Sequence, residues 1–557
     1  MSDAARLGYD WAFTLLDGFF RAGLRRVVAS PGSRSTPLTL AALRHPGLAV
    51  QMVVDERSAA FFALGLAKAE NLPVALVATS GSAIANWTPA VVEADMARVP
   101  LLLLSADRPP ELHDCGANQT MDQSHLFGAH VRAFHQLPPP EARRDWLPAF
   151  SARALDLSRF PLPGPVHVNV PLREPLTPPG LAPAPESQPA PKIGGGRLAP
   201  DPEVLDEIGG LLKGAGVIVC GPETLDAQAR DAVKNVGRRL GAPIFADLLS
   251  NLRFCAQNGG AVLAHPDALA RGAPAFDWAL RFGGTPVCRA TCDWLRGRRG
   301  ATQIVVSGCA RFADPERTAT HLVQADPALF CARISGDPAP PAWAQVFWER
   351  DRAAKKAAEA VCADDAPFEG ALLRRLLRAL PAEAPVFLAN SLTIRSAEWF
   401  SGGGAQNLRL FGNRGLSGID GNLSTALGVA HALGPAVAVV GDLAFLHDLN
   451  ALSLLRAQKL TIVLLDNGGG GIFDHLAQAA LPEFEQAWIT PQDYDASALA
   501  TAFGLRYIAA ETNSAAVAAA LETLSAGATL VHVRIDRALS LSRAKTFFAA
   551  CQPEFCS

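Results

Sequence analysis

Two side chains 25 residues apart, Asp442 and Asn467, are the best candidates in this chain for holding a small hard cation. Each closes a short apolar run. Gly441-Asp442 ends the stretch AVAVV at 436–440, and Asp466-Asn467 ends TIVLL at 461–465, with four glycines behind it. A carboxylate and an amide oxygen suit magnesium, which takes oxygen ligands and leaves its other positions to water and phosphate oxygens. The glycines let backbone approach a diphosphate, and Gly469 offers a carbonyl oxygen as a further ligand.

The elements that position these groups follow from the pattern. The β-branched runs at 436–440 and 461–465 read as buried parallel strands. Between them Leu446, Leu449, Leu452 and Leu455 recur at helical spacing. This is one βαβ unit, so Asp442 and Asn467 both stand at carboxyl ends of strands, where open α/β sheets bind ligands. The same plan fills residues 1–180, with strands expected at 27–30, 48–54, 74–80, 100–106 and 166–170 and helices at 58–70 and 84–97. VALVATSGSAIANWTPAVVEADMARVPLLLLSADRP there echoes the strand–turn–helix–strand order of the 436–473 stretch.

A Pro-, Gly- and Ala-rich linker is expected at 181–202. A central segment over 203–355 has strands near 216–220, 243–246 and 303–306 and a charged helix at 349–361. A last domain over 366–557 ends with a strand at 529–535. The fold class is therefore α/β, with three doubly wound, mainly parallel-sheet domains.

Composition limits what the chain does. At 557 residues it exceeds one core, and 49% hydrophobic with 18% charged residues describes a well-buried globular protein. A net charge of −3 gives no electrostatic case for nucleic acid or an anionic membrane. The amphipathic N-terminus carries Asp3 and Asp10 and is no secretory signal, and the apolar stretch 425–446 is interrupted by His431, Pro435 and Asp442. A cytoplasmic protein is expected. Ten cysteines in so long a chain are no disulfide scaffold. Cys288 and Cys292, and likewise Cys551 and Cys556, read as reduced and structural rather than as zinc ligands.

Gly441-Asp442 followed by Asn467 resembles the thiamine-diphosphate motif, with Leu443 replacing its usual third Gly and Asp466 a frequent Asn. Eight stretches, the last opening with that same Gly-Asp pair, narrow the resemblance. They are SPGSRSTPLTLA (30–41), DERSAAFFALGLAKA (55–69), TSGSAIANWTPA (79–90), ADRPPEL (106–112), CGANQTMDQ (115–123), NSLTIR (390–395), GNRGLSGIDGNLSTALG (412–428) and GDLAFLHDLNAL (441–452). In this order they resemble the 2-succinyl-5-enolpyruvyl-6-hydroxy-3-cyclohexene-1-carboxylate synthase family of menaquinone biosynthesis, over most of residues 5–480.

That resemblance implies pyrimidine-binding, central and diphosphate-binding domains, and thiamine diphosphate with Mg2+ (or Mn2+) as cofactors. It implies a carboligation in which 2-oxoglutarate loses carbon dioxide and the succinyl-semialdehyde carbanion adds to isochorismate. Glu56 would be the catalytic carboxyl against the pyrimidine ring. Asp442, Asn467 and Gly469 would hold the metal, and Ser391, Gly418, Ile419, Ile472 and Phe473 would complete the cofactor pocket, Ile419 as its apolar wedge. Both substrates carry two carboxylates, which Arg pairs bidentately. Arg34, Arg108, Arg395 and Arg414, with Ser33, Asn118, Gln119 and Ser391, are the substrate candidates, and they sit beside Gly, Ser and Pro turns. Arg289, in PVCRATCDWL, stands where the family usually has Lys. The resemblance also implies a homodimer or dimer of dimers, each site completed between subunits.

Two other readings remain at this stage. An acetolactate synthase or another 2-oxoacid decarboxylase would share Glu56 and Asp442 but would not need the SPGSRS, GANQ and NRGLSGIDG stretches together. A binding protein without catalysis would not need Glu56, Asp442 and Asn467 intact. A nicotinamide dehydrogenase is disfavoured, because no G-x-G-x-x-G follows a strand with an acidic residue at the right distance.

Overall fold

The computed structural model describes residues 2–178, 180, 185–186, 189–222, 225–255 and 260–552. Seventeen strands among them form three sheets, and every ladder is parallel. The first sheet contains β1 (Arg26–Ala29), β2 (Ala49–Met52), β3 (Val74–Ala78), β4 (Leu101–Asp107), β5 (Phe134–Gln136) and β6 (Pro165–Pro171) in the order β2-β1-β3-β4-β6-β5. The second contains β7 (Gly216–Cys220), β8 (Ile244–Ala246), β9 (Trp278–Phe282), β10 (Thr302–Ser307) and β11 (His321–Gln324) in the order β11-β10-β9-β7-β8. The third contains β12 (Pro385–Leu388), β13 (Arg409–Phe411), β14 (Ala436–Gly441), β15 (Leu460–Asp466), β16 (Arg506–Ala510) and β17 (Thr529–Arg534) in the order β13-β12-β14-β15-β17-β16. Helices separate most successive strands, so the architecture is the expected α/β one.

The inner strands are continuous apolar runs because both faces are covered. All residues of β3, β4 and β6 are buried, and Leu102, Leu104 and Val168 pack with Trp11, Leu15 and Phe19 of the helix Ser2–Ala22. Around β14 and β15, Val437, Val439 and Val463 pack with Leu373 and Leu377 of the helix Glu369–Ala379 and Ala516 and Ala520 of the helix Asn513–Thr523.

The chain packs as two compact units, each drawn from separated stretches. One comprises residues 1–195, 413–434 and 447–458; the other comprises 196–412, 435–446 and 459–557. The break at 195–196 lies in the Pro-rich stretch, of which 181–184 and 187–188 lie outside the described residues, as does Cys556. In the first unit the helices Glu56–Glu70 and Asn422–Leu433 cross closely. A Cβ on Gly65 would collide with the Thr425 carbonyl, and one on Gly428 with the Phe62 carbonyl.

Three local expectations need correction. The strand expected at 48–54 is shorter and not an inner one: β2 lies at a sheet edge with half-exposed residues, and Val54 beyond it is 78% exposed. The helix expected after Asp442 is two pieces, the α-helix Asp442–His447 and a 3-10 run over Leu449–Ala457. Asp448 interrupts it, and its carboxylate accepts the Ser424 N–H at 2.8 Å and hydroxyl at 3.0 Å. The helix expected at 84–97 is likewise split into Ser82–Ala85 and Thr88–Ala97, restarting where Pro89 sets the first turn.

Candidate active site

β12, β14 and β15 are adjacent, so Ser391, Asp442 and Asn467 follow neighbouring carboxyl ends. Asp442 is 3% exposed, and its carboxylate accepts the Leu443 N–H and the Gly469 N–H, each at 2.7 Å. Burial pushes its pKa up to about 6, helped by the charge of Asp466 and opposed by those backbone donors. Asn467 Oδ1 is buried with no hydrogen-bond partner among the described residues. A buried carboxylate short of positive charge beside a buried oxygen short of a donor is a set that a hard divalent cation satisfies. The Gly469 carbonyl accepts the Gly471 N–H at 2.9 Å and keeps a second lone pair.

The glycine run is required by geometry. Gly468 and Gly469 have φ of +77° and +130°, and a Cβ on Gly469 or Gly470 would meet the Ile489 or Trp488 carbonyl. Those carbonyls belong to a π-helical turn, Glu485–Ile489, which accepts the Gly470 N–H at 2.8 Å. Ile472 and Phe473 are half-buried in the 3-10 turn Gly471–His475. Tyr494, which sequence reasoning missed, follows the π-helical turn. Its hydroxyl is buried and has no partner among the described residues, and burial with the charges of Asp466 and Asp442 raises its pKa.

Ser391 has a φ of +67°, a strained value for a residue with a side chain, and immediately precedes the helix Leu392–Phe400 without a side-chain capping bond. Arg395 donates back to the Ser391 carbonyl at 2.9 Å. Arg289 stands apart from this group in the fold, at the start of the helix Arg289–Gly297 that follows β9. It is 71% exposed, pairs with Asp293 at 2.9 Å, and lines an open cavity of about 400 Å3 with Arg271 and Trp294.

In the other unit Glu56 is the first residue of its helix and half-buried; Asp55 caps the helix by accepting the Ser58 N–H at 2.9 Å. The 447–458 segment braces this end: Asn450 donates to Asp55 at 2.6 Å and Arg57 to the His447 carbonyl at 3.1 Å. Arg414, Gly418 and Ile419 are half-buried in the loop before the helix Asn422–Leu433. Buried Glu93, also missed by sequence reasoning, holds that loop by accepting the N–H groups of Gly415 (2.8 Å) and Leu416 (2.6 Å). Lys68 lies 3.6 Å from Glu93 and donates to Asn413 at 2.9 Å; burial lowers its pKa against the pull of Glu93. Charged residues in the apolar sequence TPAVVEADMA were the available signal.

At the carboxyl ends of β1, β3 and β4 several substrate candidates meet. Buried Arg34 donates to the Leu172 carbonyl at 2.8 Å and to Glu174 at 2.9 Å. Arg108 donates to the Ser80 hydroxyl and, at 2.8 Å, to the Gln119 carbonyl. Burial, and then the nearby charge of Arg34, lowers the Arg108 pKa, opposed by the charges of Asp107 and Glu174. The Gln119 side chain donates to the Ser80 carbonyl at 2.9 Å, while Ser33 and Asn118 are exposed on the flanking turns.

Beneath these groups lies a buried polar chain that sequence reasoning missed. His167 shares a 2.7 Å hydrogen bond with Ser105, which donates to Asn169 at 2.7 Å; Asn169 donates to Asp107 at 2.7 Å. Gln123 donates to Asn169 at 2.8 Å and accepts the Gly81 N–H at 3.1 Å, tying the chain to the Ser80 turn.

Residues 12–126 match the family described as "Thiamine pyrophosphate enzyme, N-terminal TPP binding domain", and residues 403–533 match its C-terminal TPP binding domain. Curated relatives carry the name 2-succinyl-5-enolpyruvyl-6-hydroxy-3-cyclohexene-1-carboxylate synthase. The one from Dechloromonas aromatica (strain RCB) is 41% identical over 526 residues, covering 92% of this chain and 96% of its own. Another, from Geobacillus kaustophilus (strain HTA426), is 41% identical over 560 residues, with 97% and 96% covered. A third, from Myxococcus xanthus (strain DK1622), is 39% identical over 583 residues, with 99% and 98% covered.

Proposed function

We propose, from the premise that this chain belongs to the family of 2-succinyl-5-enolpyruvyl-6-hydroxy-3-cyclohexene-1-carboxylate synthases, that it decarboxylates 2-oxoglutarate and adds the remaining four-carbon unit to isochorismate. The observation that carries the reading is the paired need at one sheet end: the buried Asn467 Oδ1, without a hydrogen-bond partner among the described residues, and the buried Asp442 carboxylate. Asp442, Asn467 and the Gly469 carbonyl would hold Mg2+ (or Mn2+), and through it a diphosphate, on a loop without side chains in the way. Thiamine diphosphate, when bound, supplies the electron sink for the charge left by departing carbon dioxide.

The protein's own residues supply the rest. Glu56 would hold a proton toward the pyrimidine ring. Ser391, Gly418, Ile419, Ile472 and Phe473 are proposed as contacts to the cofactor. Arg34 and Arg108, buried and close enough to depress the Arg108 pKa, are suited to a carboxylate that neutralises both. Arg395 and Arg414 would take the remaining carboxylates, with Ser33, Asn118 and Gln119 as neutral donors. Arg289, exposed at its helix start, is proposed as a substrate contact on the strength of the resemblance alone.

The proposal extends to a pyrimidine-binding domain at 1–180, a linker at 181–202, a central domain at 203–355 and a diphosphate-binding domain at 366–557. It also includes self-association as a homodimer or dimer of dimers. Exposed Met52 and Val54 beside Glu56 support this, being apolar surface that a second copy would cover. No helix among the described residues is long and apolar enough to cross a membrane, and a cytoplasmic location is proposed. The test is a coupled assay with 2-oxoglutarate and isochorismate, omitting thiamine diphosphate and magnesium in turn. Product formation that needs all four supports the reading. Turnover of pyruvate alone, with none of isochorismate, overturns it.

A further inference from the structure

Asp466 departs from the resembled motif, which frequently has Asn there, and it does so immediately before a proposed metal ligand. A second carboxylate beside Asp442 would repel both Asp442 and a diphosphate unless something held it. The sheet register supplies a partner. His532 on β17 lies opposite Leu464 of β15 and opposite Ala509 of β16. With side chains alternating between faces, Asp466, His532 and Tyr507 then share one face of three adjacent strands, each diagonal to the next.

The three side chains are joined. His532 Nε2 is 2.9 Å from Asp466 Oδ2, and the Tyr507 hydroxyl is 2.9 Å from His532 Nδ1. The other oxygen, Asp466 Oδ1, accepts the Gly468 N–H at 3.3 Å. Both side chains are nearly buried. With its oxygens turned to an imidazole and a backbone N–H, Asp466 is kept off the cation that Asn467 would bind.

We propose that His532, backed by Tyr507, is the positioning residue of the glycine loop. It fixes Asp466, and Asp466 in turn fixes Gly468, whose positive φ sets the directions of Asn467 and Gly469. This rests on the reading of Asp442, Asn467 and Gly469 as the metal and diphosphate site. Partners behind metal ligands act in this way in other proteins, where their loss costs about 10–100-fold in affinity.

The test is a titration of thiamine diphosphate, followed by intrinsic tryptophan fluorescence at saturating magnesium. His532→Ala should weaken affinity about tenfold or more. His532→Gln, whose amide can still donate to Asp466, should stay within about threefold of the unaltered protein. Asp466→Asn keeps an acceptor for Gly468 and offers His532 a donor, so alone it should change little. Combined with His532→Ala it should restore part of the affinity, since the freed side chain then carries no charge to turn on the cation or repel a diphosphate and can still accept the Gly468 N–H. Unchanged affinity in His532→Ala, or a double variant as weak as His532→Ala, overturns the proposal; the second result would mean that His532 merely packs the sheet. Failure of the site reading shows separately, as no binding by the unaltered protein or as undiminished binding by Asp442→Ala.

Discussion

Glu56 opens its helix with Asp55 already occupied as the cap, so its own carboxyl is not needed to hold the turn. Replacing it with Gln keeps the shape and removes only the exchangeable proton. Glu56→Gln should therefore bind thiamine diphosphate within a few-fold of normal while turnover falls roughly 10²-fold or more. Near-normal turnover would remove Glu56 from the catalytic role. His167 gives a second prediction at this scale, on stability. Burial lowers its pKa to about 3, so the folded protein keeps a neutral ring that the unfolded chain would protonate near 6.5. That stability is fully present above 6.5 and is lost as pH falls toward 3, on the order of a few kcal/mol. Asp107, raised by burial in the same polar chain, acts in the opposite sense as pH rises. His167→Gln can still donate to Ser105, so in denaturant titrations at pH 7 and pH 4.5 it should lose less on acidification than the unaltered protein. An equal loss in both would assign the acid sensitivity to other groups.

At the scale of elements, the glycines at the helix crossing set how closely two helices approach. Gly428→Ala places a methyl group against the Phe62 carbonyl and should destabilise by about 1–3 kcal/mol, lowering the melting temperature by several degrees. An unchanged melting temperature would mean that the helices can separate at little cost. Legibility in the sequence also divides at this scale. Strands such as β3, β4, β14 and β15 stood out because burial on both faces leaves uninterrupted apolar runs, and Asp442 and Asn467 were marked by ending two of them. β9 was missed because Arg281 sits inside it, buried and paired with Asp314 at 2.8 Å. β5 has three residues and β11 four, largely unburied, which leaves no pattern to read. Glu93, the Ser105–Asn169 chain and Asp466 with His532 depend on contacts between distant stretches, which local spacing does not encode. The break at Asp448 is of the same kind, since the competing partner is Ser424.

At the scale of the whole molecule, the proposed self-association predicts complementation. Glu56→Gln and Asp442→Ala subunits, each inactive alone, should regain part of the activity when refolded together, because a mixed dimer would hold one intact pair of residues. Heterodimers that form and remain inactive would mean that each site is built within one chain.

The separated stretches that make up each compact unit also bear on how the protein is born. Residues 413–434 and 447–458 belong with the N-terminal 195, while the 435–446 stretch between them, carrying Asp442, belongs elsewhere. On a ribosome adding roughly 5–20 residues per second, the face around Gly65 waits tens of seconds for its partner helix. During that interval a nascent chain presents Phe61, Phe62 and Leu66 to its surroundings, residues that end fully buried. The vulnerable period of this protein therefore spans most of translation and closes only when residues 413–458 emerge, and a fragment ending at residue 195 would remain in it indefinitely. Such a fragment would be a client for chaperones, whereas a chain released after residue 458 has the pieces needed to close that surface.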